Sequence, residues 1–145
     1  MSAALTALLL VACQAEQPVR VTVVIVLATT EHGVVDPKLK ELAKEVQKRD
    51  PKLTGFKLVA TECKSIPVGE TETISLTDRQ ELKLQVDKAK DVNGRISMTL
   101  TPPAMAAVTY ACACDKFFPV VTPYRTKAGE QLIIAVMAKP CTLKR

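Results

Sequence analysis

At 145 residues, 48% hydrophobic and 24% charged, the chain has the size and composition of one folded domain and not of a disordered tail. Its net charge is +5, but acids and bases interleave, as in "DPKLKELAKEVQKRD" and "KAKDVNGR". No run of five like charges marks a nucleic-acid footprint. Phe56, Tyr110, Phe117, Phe118 and Tyr124 are the whole aromatic complement, too few for stacking on bases or sugars.

The chain opens on an apolar run, "AALTALLLVA" at positions 3–12, broken only by Thr6. Ten residues are too few to span a bilayer, which takes about 20, and match the central region of a secretory signal. Two processing routes are open. "LVAC", Leu10–Cys13, has the form of a bacterial lipobox, which would make Cys13 the lipidated residue and give the protein a membrane anchor. Cleavage after "CQA" would instead leave Glu16 as the new terminus. The leading "MS" carries no Lys or Arg, a departure from the usual signal. Residues 1–15 are thus read as a signal peptide and 16–145 as a single domain, exported to the periplasm, cell envelope or medium. The first fifteen residues hold no charged side chain, so the mature part keeps the full +5.

Val19–Thr29, "VRVTVVIVLAT", is dominated by β-branched residues and stops alternating after Thr22, which predicts a strand buried on both faces. Asp36 is placed to cap a helix and Pro37 to occupy its first position. Leu39, Leu42, Ala43 and Val46 then recur along one helical face, and Pro51 forces a stop near Asp50. The tetrapeptide "DPKL" occurs at both Asp36 and Asp50, as boundary chemistry and not as a repeat unit. Strand periodicity follows. "GFKLVATECK" places Phe56, Leu58, Ala60 and Glu62 on one side, and "ETETISL" and "QELKLQV" form a hairpin around "TDR". "NGRISMTL" aligns Ile96, Met98 and Leu100. "AAVTYACAC", "FFPVVTPY" and "EQLIIAVMA" add three more. One helix among about eight strands predicts an α+β fold, with an N-terminal helix packed on a mostly antiparallel sheet or small sandwich.

The strand followed by "VDPKLKELAKEVQ", the "GE" turn before "TETISL" and the closing "AGEQLIIAVMAKPC" resemble an uncharacterised family of small exported bacterial proteins. The likeness covers most of residues 19–141. It implies export and carries no known activity.

Catalytic signatures are missing. No G-x-S-x-G, H-E-x-x-H, Walker loop or dinucleotide fingerprint occurs, and the only histidine, His32, sits in a turn beside Glu31 and Gly33. Spacing gives no reason to pair Glu31, Asp36 and Asp115. No catalytic residue and no cofactor is assigned. Without Cys13, the mature chain retains Cys63, Cys112, Cys114 and Cys141, an even set in a protein bound for an oxidising compartment. Cys112 and Cys114 share one face of a strand, too far apart to bond to each other without a kink. The expected framework links one of them to Cys141, leaving Cys63 for the other, although sequence cannot select among the three pairings. The competing reading is a thiolate site for Cu(I) or Zn(II) built on Cys112, Cys114 and His32, with Met105 nearby.

The expected function is a non-catalytic exported domain, stabilised by disulfides, that binds an unidentified protein or joins an envelope assembly. The alternative is a periplasmic copper or zinc carrier. Tyr124, Arg125 and Lys127, in the loop "TPYRTKAGE", are the candidate surface-binding residues. Membrane contact is expected only through an anchor at Cys13.

Overall fold

The computed structural model describes residues 18–88, 94–113 and 116–140. Within them the chain forms β1 (Val19–Thr29), a 3-10 turn (Pro37–Leu39) leading into α1 (Lys40–Arg49), and then β2 (Gly55–Ile66), β3 (Thr71–Ser75), β4 (Glu81–Lys88), β5 (Arg95–Thr101), β6 (Val108–Ala113), β7 (Phe118–Arg125) and β8 (Gln131–Pro140). The strands pair antiparallel in two sheets. Sheet I has the order β2-β1-β8-β7 and sheet II the order β3-β4-β5-β6.

This corrects the α+β class. The described residues form a mostly-β sandwich, with eight strands against a single ten-residue helix. The expected packing of a helix on a sheet holds only as an addition to one outer face. One helix does not make a layer here, because α1 covers only part of a sheet whose other side already belongs to the sandwich core.

Two burial patterns explain where that helix goes. In sheet II, β4 and β5 alternate strictly, so Leu82, Leu84, Val86, Ile96, Met98 and Leu100 point inward while the opposite residues face solvent. Sheet I is apolar on both sides. Val19, Val21, Val23, Ile25 and Leu27 of β1 join Leu132, Ile134, Val136 and Ala138 of β8 in the core between the sheets. On the outer side Val26, Ala28 and Ile133 meet Leu39, Ala43, Val46, Leu53 and Phe56 in a second core beneath α1. Each Val, Leu, Ile or Phe among them contributes about 1.5–3 kcal/mol when taken fully out of water. A sheet with two apolar faces needs a cover on each, and α1 supplies the second.

The two copies of "DPKL" adopt the same local structure. Asp36 Oδ1 accepts from the Lys38 N–H at 2.9 Å, and Asp50 Oδ1 accepts from the Lys52 N–H at 3.2 Å. The Leu39 and Leu53 amides donate to the Asp36 and Asp50 carbonyls. The first copy opens the helical segment and the second follows its end, and each buries its leucine, at 3% and 1% exposure. In β2 the expected single face is broken. The register with β1 slips between Leu58↔Val26 and Ala60↔Ile25, leaving Val59 as an extra residue in a bulge. Phe56 and Leu58 therefore face α1, while Ala60 faces the inter-sheet core.

Candidate binding groove

α1 covers only part of the outer face of sheet I. The row Leu58–Val26–Ile133–Val121, read across β2, β1, β8 and β7, lies in the core under the helix. The adjacent row, Thr61–Val24–Ala135–Pro119, is also in direct register across all four strands. It forms the floor of a groove of about 790 Å³ running beside the helix. Four strands at ordinary spacing make that floor about 14 Å long, close to the roughly 15 Å of a ten-residue helix.

The walls follow from helical periodicity. Leu39, Ala43 and Val46 point down into the core, and the flank beside them carries Lys38, Glu41, Leu42, Glu45 and Arg49, all of which border the groove. Leu42, placed by sequence on the buried face, is half-buried and forms apolar wall. Opposite, Phe117 and Phe118 close the β7 side. Phe118 turns inward, its ring centroid 4.1 Å from that of Tyr110, while Phe117 remains 45% exposed. The groove has room because its floor is built from short side chains. Alanine, valine, threonine and proline stand where larger residues would have filled it.

The rim is charged but unevenly neutralised. Glu41 lies 3.8 Å from Lys44 and Glu45 lies 2.9 Å from Lys48, both exposed pairs one helical turn apart. Lys38, Arg49 and Lys116 form no ion pair among the described residues.

The residues singled out by sequence lie elsewhere. His32 is exposed in the loop after β1, its Nδ1 accepting from the Val34 N–H at 3.2 Å. With Asp36 and Glu130 it borders a smaller depression of about 280 Å³. Glu31 is exposed, its backbone N–H donating to Thr29 Oγ1, and Asp36 is committed to the helical cap. Cys63 is exposed on the outer side of sheet I, with Sγ 3.3 Å from Thr22 Oγ1. Cys112 is buried in the core between the sheets. The body of sheet I separates the two, and no disulfide joins two described residues. Cys13, Cys114, Asp115 and Cys141 lie outside the described residues, and with them the rest of the expected bridges and the lipobox. Of the metal set, Cys112 is walled into the core while His32 is in solvent. Among the described residues no three His, Cys, Asp or Glu side chains converge.

The segment Thr122–Glu130, expected as a loop, begins inside β7, which contains Tyr124 and Arg125, and is tied to the fold. Tyr124 donates its phenol O–H to Asp78 Oδ2 at 3.2 Å, joining β7 to the β3–β4 turn across the sandwich. Its phenol is held above the usual tyrosine range, first by desolvation and then by the Asp78 carboxylate that faces it and accepts its proton. Arg125 reaches the Gly129 carbonyl and Gln131 Oε1. Of the three candidates only Lys127 is exposed without a bond to a described residue.

The groove escaped the sequence reading because its floor comes from four strands lying far apart in the chain. The one local sign was Phe117, an aromatic residue preceding a strand in which Phe118 already serves the core. Comparison with family models, curated proteins and solved structures found no match for this chain. Function is therefore read from the geometry.

Proposed function

We propose that this chain is a non-catalytic, exported binding domain whose groove between α1 and sheet I takes up the alkyl portion of a small amphiphilic molecule. The observation that carries the reading is an apolar groove of about 790 Å³, floored by Val24, Ala135 and Pro119 and walled by Leu42, Leu58 and Phe117, that no described residue fills. Its volume falls within the range of small-molecule sites, and its lining is mostly apolar with a few polar groups at the edge, as such sites are. A flexible chain lying beside the helix would cover surface that otherwise faces water, at about 25 cal/mol for each Å² removed.

A small ligand suits the groove better than the protein partner expected from export, disulfides and the lack of a catalytic constellation. The segment offered as the partner surface spends Tyr124 and Arg125 on internal bonds. A groove beside one short helix is also smaller than the roughly 800 Å² per side of a stable protein interface. The signal-like residues 3–12 support export in this proposal, and an exported alkyl-binding domain would act on amphiphiles of the envelope or medium.

The test uses 1-octanol, an uncharged probe, in calorimetric titration of the full-length protein and of Val24→Phe, which places a ring over the floor. Saturable binding by the wild type, reduced at least tenfold in a folded Val24→Phe, is expected. No binding by the wild type, or equal binding by both proteins, overturns the proposal.

A further inference from the structure

We infer that the ligand's head group is anionic and sits at the β7 end of the groove, between Arg49 and Lys116; this rests on the groove reading above. The orientation of the helix sets the ends apart. The 3-10 turn before α1 packs against β2, and α1 itself packs against β7, so the helix crosses sheet I from β2 towards β7. Arg49, its last residue, is carried to the β7 side. Lys116, two residues before β7 begins, borders the same groove beside the exposed Phe117. Lys38, in the 3-10 turn that packs against β2, borders the other end, where the floor residue is Thr61.

Charge neutralisation sharpens the asymmetry. The two carboxylates on the groove flank of α1, Glu41 and Glu45, have partners at Lys44 and Lys48 within the helix. Nearby Asp50 accepts from the Lys52 N–H and is turned to its own loop. Arg49 and Lys116 have no carboxylate within ion-pair distance among the described residues. Two cations at the β7 end of an apolar slot match a single-chain molecule ending in a carboxylate, sulfate or phosphate. The guanidinium can hold two oxygens of any of these at once. A cationic amphiphile would place its head against the same two charges, and an uncharged one would leave them in water.

The three cases are separated with one chain length. Octanoate, 1-octanol and octyltrimethylammonium are titrated below their aggregation concentrations into the full-length protein and into the double variant Arg49→Gln, Lys116→Gln. The wild type should bind octanoate about tenfold more tightly than 1-octanol, and octyltrimethylammonium more weakly than either. The double variant should lose that tenfold for octanoate while its 1-octanol affinity stays within about twofold. Equal affinities for octanoate and octyltrimethylammonium would overturn the inference and leave the groove standing, as would a double variant that keeps its preference for octanoate. Failure of all three to bind would remove the groove reading and the head-group inference together.

Discussion

Among the described residues three non-glycines hold left-handed backbone conformations, Asp78 at φ 55°, Arg79 at 60° and Ala104 at 59°. Asp78 and Arg79 are the central pair of the β3–β4 turn, closed by the Gln80 N–H donating to the Thr77 carbonyl at 3.1 Å. Two positive φ values in a two-residue loop suit the right-handed twist of the strands, and glycine is favoured at the second. Arg79→Gly should therefore stabilise the protein by about 0.5–1 kcal/mol in urea denaturation, because the left-handed conformation disfavours arginine and not glycine. Gly55 is the opposite case. A Cβ there would lie 2.6 Å from His32 Nδ1 and Cε1 and 2.7 Å from Thr29 Cγ2. Gly55→Ala should cost about 1–3 kcal/mol in the same measurement, as the histidine ring is forced from its place.

The Tyr124–Asp78 bond gives a pH dependence with a definite sign. A phenol whose folded pKa is raised binds its proton more tightly in the folded state. Its contribution is fully present below the unfolded value of about 10 and is lost as pH rises through the raised folded value. Tyr124→Phe should accordingly flatten the alkaline limb of stability against pH and leave the acidic limb unchanged. An unchanged alkaline limb would show that the bond does not persist in solution. These contacts were not legible in the sequence, since Asp78 and Tyr124 meet only after β3, β4 and β7 have been placed in two separate sheets.

At the scale of elements the sequence was informative wherever the cause is local. The dominance of β-branched residues in β1 points to a strand covered on both sides, and Asp36–Pro37 points to the helix start. The alternation in β5 put Ile96, Met98 and Leu100 inside, where they are. What failed was what depends on pairing. The bulge at Val59 turns half of β2 over, and one extra residue opposite Ile25 leaves no mark in β2 alone. Thr61, Val24, Ala135 and Pro119 make a groove floor only through register with one another. The second "DPKL" copy is an element-scale feature with a measurable role. Leu53 anchors the return from α1 into the outer core, and Leu53→Ala should lower stability by about 2–5 kcal/mol.

Across the whole molecule, fold class was misjudged because counting elements does not reveal how strands divide between sheets. Once two sheets exist, most other features follow. One sheet is apolar on one side and faces water on the other. The second is apolar on both, and a single helix that covers only part of that face leaves a groove beside itself. The same architecture constrains the cysteines. Cys112 is enclosed between the sheets and Cys63 stands outside sheet I, so peptide mapping of oxidised protein should yield no Cys63–Cys112 linkage. Such a linkage would contradict the sandwich itself.

The central claim is that an alkyl chain lies along the row Thr61–Val24–Ala135–Pro119. Intermolecular nuclear Overhauser effects between 1-octanol methylenes and isotope-labelled protein test it most directly. The account predicts contacts to the methyl groups of Val24, Leu42 and Ala135 and to the Phe117 ring, and none to the solvent-facing side of sheet II. Contacts confined to sheet II, or absent at saturating octanol, would contradict it.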